Sequence, residues 1–426
     1  MTNRKIILAT VGSLGDLHPF LAIGQALRAR GLRPILAVPL DQVSKCRDAG
    51  LEAEAILPSF DELGRATGLE DDEIVRKVIA DTNFLVNQIL LPPLGESTNR
   101  LMEIVSEADA VVGSIFALAA PIAAEARSVP YISAVLQPMS WFSLLDPPVA
   151  PGFGGLVKPP LGIMGKNWNR LIGAMMATEL KRRYAKRINA VRLSHGLAKS
   201  SATPVLQPGT RLTYSLGLYS SSLGDIPADA PQPASLTGFP WFDSADGKPT
   251  PLPEDLSCFL EEGPPPLVVS LGSFVPFAAQ EFYRRAAAIA LELKMRAILL
   301  TQFDPGIDEP SIKVVGYAPH SLLFPHAAAI IHHGGIGTLG QALRSGKPQL
   351  IVPFMGDQFD HAKRLERLGA GVSASVDAFM QNGTDPLRKI LSDPNYEINA
   401  NRVAQKVREE SGADVAADKI LEIIQK

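Results

Sequence analysis

Two doubly wound α/β domains are what this sequence predicts, and three observations carry that expectation. Short apolar runs of strand length alternate with helix-period segments from the amino terminus onward. A proline-rich break at 232–253 interrupts the alternation, which then restarts. The chain has 426 residues, 46% of them hydrophobic and 20% charged, which is more than one core usually organises.

The elements follow in order. A first strand is expected at 5–10, then a glycine-containing loop. A helix is expected to open at Pro19, where a fixed φ suits the first turn and a missing N–H costs nothing. Phe20, Ile23 and Leu27 give it an apolar face, and Gly31 a C-cap. Further strands are expected at 35–38, 110–114 and 131–135. Residues 146–165 hold eight prolines and glycines in four pairs, among them Pro147, Pro148, Pro159 and Pro160, so a long loop is expected there. Past the break, strands are expected at 267–270, 297–300, 312–315, 329–332 and 349–352, with helices between them. Helical segments at 398–410 and 413–424 close the chain. The division expected is a first domain at 1–240, a linker at 241–253, a second domain at 254–410, and a terminal helix at 411–426 crossing back to the first. Parallel sheets of this kind present ligands at the carboxyl ends of their strands.

Composition narrows the function. A formal net charge of −3 is near balance and argues against a nucleic-acid partner. Cys46 and Cys258 match no metal or redox spacing and read as packed thiols of a reducing compartment. The apolar run after Lys5 is too short for a signal peptide and leads into Gly12, Ser13, Leu14, Gly15 and Asp16 without a cleavage site. The longest apolar stretch, 110–124, contains Ser114 and Pro121 and does not span a bilayer. A cytoplasmic protein is expected, with room for a peripheral membrane contact. Gly12 and Gly15 do not complete the glycine fingerprint of a dinucleotide-dependent oxidoreductase, and no acidic residue stands at the usual offset.

The sharpest local signal is Ile331, His332, His333, Gly334, Gly335, Ile336, Gly337 and Thr338, which join a buried strand to a helix. A helix N-terminus offers free N–H groups and a positive dipole end, which suit a phosphate. The glycines admit close approach, Thr338 adds a hydroxyl, and His333 adds a donor that can be cationic. The plain alternative is a tight turn with packed histidines. Tyr317, Ala318, Pro319, His320, Leu322, Leu323 and His326 precede this segment, and Gln341, Gly346, Pro348, Pro353, Phe354, Asp357 and Gln358 follow it. In order and spacing the whole resembles the donor signature of the family 1, UDP-glycosyltransferase-like enzymes of the GT-B fold.

That resemblance implies two Rossmann-like domains facing across a cleft, the second holding a nucleotide-sugar donor and the first a small lipophilic hydroxyl acceptor. Tyr317, where the family often has Trp, would stack on the base, and the Ala318 backbone would pair with the uracil or thymine edge. His333 and the backbone of Gly335, Ile336, Gly337 and Thr338 would hold the diphosphate. Ser273, in the strand-end segment Ser270, Leu271, Gly272, Ser273, would meet it too. Asp357 and Gln358 would hydrogen-bond sugar hydroxyls. His320 replaces a common Gln, and Gln341 replaces the Glu that binds both ribose hydroxyls, which leaves UDP and deoxyribose-containing dTDP both open.

Many members follow the first strand with Gly-His-x-x-Pro, the His deprotonating the acceptor. Here Gly15, Asp16, Leu17, His18 and Pro19 stand there, so Asp16 takes the position of the base. Vancomycin-group and rhamnolipid glycosyltransferases are similar in this respect. Similarity to the rhamnolipid rhamnosyltransferase catalytic chain extends to 12–31, 112–114, 237–240 and 357–360. Inverting transfer needs such a base as the acceptor oxygen attacks, together with fixed donors for charge developing on the diphosphate. No Asp-x-Asp pair stands where a metal bridge would, so neither metal nor cofactor is expected and the nucleotide sugar is a co-substrate. Asp16 also suits the N-cap of a helix opening at Pro19, and His18 is the rival base. Phe84, Leu85, Phe116, Met139, Trp141, Phe142, Met164 and Trp168 suit an apolar acceptor, with His18 beside them, and each equally suits an ordinary core. A nucleotide-sugar epimerase or a non-catalytic helper of the same fold are the alternatives. A helper would be expected to lose Asp16, His333 or Asp357 and Gln358, all of which are present.

Overall fold

Among the described residues the first unit forms a parallel sheet of seven strands whose central strands are apolar on both faces, as sheets covered by helices on both sides require. The computed structural model describes residues 4–69, 71–150, 156–200, 212–244, 246–248, 250–273 and 279–425. It divides into two compact units, Met1–Phe242 with Ser411–Lys426, and Asp243–Glu410.

In the first unit the strands are β1 (Lys5–Ala9), β2 (Arg33–Pro39), β3 (Glu52–Leu57), β4 (Ala110–Ser114), β5 (Tyr131–Val135), β6 (Leu212–Gly217) and β7 (Ala234–Leu236). Their order is β3-β2-β1-β4-β5-β6-β7. Alternation along β1 divides its side chains between two layers: Ile6 and Leu8 enter one cluster, Ile7 and Ala9 the other. The chain winds outward from β1 to β3, then returns to place β4 on the opposite side, with Ile6 opposite both Pro34 and Ala110. The carboxyl ends of β1 and β4 therefore form a topological switch point. Helix Gly412–Gln425 packs Ala416, Ala417 and Ile420 into the first layer, and Arg30 meets Asp414 at 2.9 Å and Asp418 at 2.7 Å.

The second unit repeats the plan with β8 (Leu267–Ser270), β9 (Ala297–Leu300), β10 (Ile312–Val315), β11 (Ala329–His332), β12 (Gln349–Ile351) and β13 (Gly371–Ser373), in the order β10-β9-β8-β11-β12-β13. Its switch point lies between β8 and β11, where Ser270 stands opposite His332.

Three expectations need correction. The first helix spans Leu14–Ala29, with Ser13 as N-cap, so Pro19 lies inside it and Asp16 in its first turn. The expected loop at 146–165 gives way at Gly162 to a helix of 33 residues, Gly162–Ser194, while 151–155 fall outside the described residues. Strands β3, β6, β7 and β13 were not anticipated. β3 is an edge strand with Glu52 and Glu54 exposed, which hides its apolar signal, and β7 is three residues inside the proline-rich stretch. Both cysteines are free, and burial pushes the Cys46 thiol up to about 12, whereas Cys258 is exposed. No helix among the described residues is long and apolar enough to cross a membrane.

Candidate active site

In the second unit β11 runs into helix Ile336–Ser345 through Gly335, its N-cap. Leu339 donates the first closing bond to the Gly335 carbonyl at 2.9 Å. The N–H groups of Ile336, Gly337 and Thr338 precede that bond and have no partner within the helix. The His333 ring is seated between two glycines. A Cβ at Gly272, whose φ is +72°, would lie 2.8 Å from His333 Cε1, and one at Gly335 would collide with His333 Nε2. Only residues without a side chain let the imidazole occupy this strand-end position.

Burial pushes the His333 imidazole down to about 4, against a smaller upward pull from the Ser270 backbone. Burial thus favours the neutral ring at pH 7, in which one nitrogen donates and the other accepts. His333 Nδ1 is buried without a hydrogen-bond partner, as is Oε1 of Gln341, five residues into the helix. Native proteins rarely leave such atoms orphaned, and a bound polar ligand is one ordinary resolution. His332 is held differently. Burial pushes it down to about 3, and Nδ1 accepts from the Gly334 N–H at 3.2 Å while Nε2 faces Gln349 Oε1 at 3.0 Å. Its role is to fix the turn.

Neighbouring loops complete this face. Ser270 Oγ is 3.2 Å from His320 Nε2, and the His320 ring stacks on Phe324 at 4.3 Å. Ser273 is exposed just past the end of β8. Ala318 is fully buried, and the Tyr317 hydroxyl donates to Asp243 Oδ1 at 3.3 Å. Asp243 Oδ2 also accepts from the Ser321 N–H at 2.6 Å, so a residue expected in the linker pins the loop meant for the base. Asp357 caps helix Gln358–Leu368, and burial raises its carboxyl. Gln358 Oε1 accepts from the N–H groups of Phe354 at 2.7 Å and Met355 at 3.0 Å, which leaves its amide NH2 as the group for a ligand. His361 ties these parts together: Nδ1 donates to the Gly334 carbonyl at 2.7 Å and lies 3.5 Å from Asp357 Oδ2. Sequence reasoning missed Asp243, Gln349 and His361. Only His361, one helical turn after Asp357, carried a local signal. Asp360, part of the noted similarity, is turned inward onto Arg364 at 2.6 Å.

In the first unit Asp16 stands just beyond β1, its Oδ2 accepting from the Ser13 N–H at 2.8 Å and the Ser13 hydroxyl at 3.1 Å. This is the carboxylate half of a capping box. The plain alternative, Asp16 as an N-cap, is thus not what the structure shows, and Ser13 holds that place. Gly12, at φ +146°, leaves room for the carboxylate, since a Cβ there would fall on Asp16 Oδ2. Beside it, across the switch point, Thr10 Oγ1 donates to Ser114 Oγ at 3.2 Å. His18 lies two residues further along the helix, its ring 5.4 Å from that of Phe242.

The expected acceptor residues scatter. Phe84, Leu85 and Phe116 pack against the second core layer. Trp141 is 6% exposed and donates from Nε1 to the Tyr219 hydroxyl at 2.6 Å. Met139 and Phe142 border it on the same short turn. Met164 and Trp168 are exposed, at 83% and 51%.

Known proteins are similar to this chain in sequence and in fold. Residues 302–424 match the family described as erythromycin biosynthesis protein CIII-like, C-terminal domain. O-mycaminosyltylonolide 6-deoxyallosyltransferase of Streptomyces fradiae is 30% identical over 422 residues, covering 97% of this chain and 96% of its own. A sterol 3-beta-glucosyltransferase of Aspergillus oryzae is 26% identical over 98% of this chain, which spans only 30% of that longer protein. The crystal structure of the glycosyltransferase VinC in complex with DTDP superposes with a TM-score of 0.71 at 21% identity, covering 99% of each chain. With near-complete coverage of a glycosyltransferase at that identity, and two parallel α/β units matching a solved one, the chain belongs to the family 1 glycosyltransferases of the GT-B fold.

Proposed function

We propose that this enzyme transfers a hexose or deoxyhexose from a UDP- or dTDP-sugar to a hydroxyl of a small lipophilic acceptor, with inversion and without a metal ion. The observation that carries the donor side is the His333 ring seated between Gly272 and Gly335 at a helix start, with Nδ1 and Gln341 Oε1 left unpartnered. The diphosphate would lie against the N–H groups of Ile336, Gly337 and Thr338 with His333 beside it. As the bond from the anomeric carbon to the diphosphate oxygen breaks, the growing charge meets donors already in place. The acceptor oxygen forms the new bond from the opposite face and its proton passes to Asp16. Asp357 and the Gln358 amide would hold sugar hydroxyls, with Tyr317 and the Ala318 backbone at the base.

The dTDP bound to VinC and the amide at Gln341 support a donor nucleotide without strict need of a ribose 2′-hydroxyl. The relatives named for O-mycaminosyltylonolide and for sterols support a bulky apolar acceptor. The test is a turnover panel of UDP- and dTDP-linked sugars against macrolide, phenolic, sterol and hydroxyacyl acceptors, with and without EDTA. Product that survives EDTA, and a UDP-to-dTDP preference that rises in Gln341→Glu, are the expected results. Epimerised nucleotide sugar formed without acceptor, or turnover restored only by added Mg²⁺, would overturn the reading.

A further inference from the structure

Helix Gly162–Ser194 buries very little of its surface: of its 33 residues only Asn169, Ile172, Tyr184, Ile188 and Arg192 are buried. Its outward face is apolar at the start. Leu161, Met164, Trp168, Leu171 and Met175 are 92%, 83%, 51%, 54% and 61% exposed. Their spacing of three and four residues sets them in one stripe along the helix. A soluble surface rarely keeps so many large apolar side chains contiguous without a partner.

The chemistry of the partner is read from the charges. Between 147 and 178 the sequence contains no acidic residue, while Lys158, Lys166 and Arg170 are exposed there. Over the helix as a whole there are eight Lys or Arg and one Glu, in a chain whose net charge is −3. Arg192 is turned inward onto Glu125 at 2.9 Å, and the other seven are exposed. The single acid, Glu179, is already engaged by Arg182 and Arg183. Past Met175 the stripe continues on the same face into Arg182 and Lys186, so apolar and basic surface adjoin along one line.

We propose that this face docks the protein on a membrane bearing anionic lipid headgroups. The apolar stripe would enter the boundary between headgroups and acyl chains, and the basic stretch beyond it would lie over lipid phosphates. Trp168, whose Nε1 donates to the Leu156 carbonyl at 2.7 Å, is the kind of side chain that settles at such an interface. A second copy docking by the same face would set Arg182 and Lys186 against basic residues of its twin, which disfavours self-association. The inference rests on the first unit alone and does not depend on which sugar or acceptor is used.

The test is flotation of the full chain with vesicles of phosphatidylcholine alone and of phosphatidylcholine with about a third phosphatidylglycerol. Wild type is expected to float with the anionic vesicles only, less so as salt rises, with a blue shift in emission that is lost in Trp168→Phe. The pairs Met164→Asp with Leu171→Asp, and Arg182→Glu with Lys186→Glu, should each weaken binding by about tenfold or more. Circular dichroism and Tm close to wild type establish that both pairs fold. Absence of wild-type binding to anionic vesicles would overturn the proposal, as would undiminished binding by folded variants. A solution dimer that Leu171→Asp dissociates, with no vesicle binding, would assign the face to a second copy instead.

Discussion

Asp16 accepts from the N–H and hydroxyl of Ser13 while standing at the end of β1, so capping and proposed catalysis share one carboxylate. Asn keeps an acceptor oxygen for the cap but lacks the basic charge. Asp16→Asn is therefore expected to retain its Tm and donor affinity while turnover falls by roughly 10²–10⁴. His18→Ala should lose far less. A near-normal Asp16→Asn beside an inactive His18→Ala would transfer the proton to the imidazole. At this scale the sequence exposed the position but not its hydrogen bonds. Proline's preference for first turns points to a helix opening at Pro19, whereas Ser13 three residues before Asp16 makes a capping box that starts the helix five residues earlier. Asp243 was unreadable for another reason: its partners, Tyr317 and Ser321, lie more than seventy residues away, and no local pattern records such a contact.

The turn after β11 was legible as an element because glycines at a strand–helix junction leave a pattern that burial does not disturb. The protonation of its histidines was not, since that depends on desolvation by the rest of the unit. His332 and His333 have folded values of about 3 and about 4, below the ordinary 6.5. Between these values and 6.5 the unfolded chain binds more protons than the folded one. Their contribution to stability is therefore complete above about 6.5 and is lost as pH falls toward 4. Thermal unfolding across that window should show Tm falling with acidity, and His332→Gln should flatten the slope. Parallel slopes would clear the histidines. Gly335 tests the geometry of the same element. Its φ of −60° is ordinary for any residue, so Gly335→Ala adds no backbone strain and acts only by displacing His333. Loss of one bond to a charged diphosphate amounts to about 1.5–3 kcal/mol, so donor kcat/KM should fall about 10- to 150-fold with little change in Tm. Unchanged donor kinetics would place the diphosphate elsewhere.

The whole molecule was readable as two parallel α/β units because buried strands write near-continuous apolar runs. Edge strands such as β3 and the long helix Gly162–Ser194 escaped, since both leave much of their surface to solvent. Near-balanced total charge concealed the basic helix in the same way. The terminal helix sets up a contrast at this scale. Ile420 is fully buried in the first unit's core, whereas Asp414 and Asp418 are mostly exposed where they meet Arg30. Ile420→Ala should destabilise that unit by about 2–5 kcal/mol, and Arg30→Ala by less than about 1 kcal/mol, both read from denaturant unfolding. Similar losses would mean that the ion pairs, rather than the apolar contact, hold the helix. The chain segments of the two units also differ in continuity: Asp243–Glu410 is unbroken, while the first unit requires Ser411–Lys426 from the far end. On the ribosome, the half translated first is thus the half finished last. Its core stays uncovered where Ala416, Ala417 and Ile420 will pack through synthesis of the entire second unit, until the helix Gly412–Gln425 has itself left the ribosome.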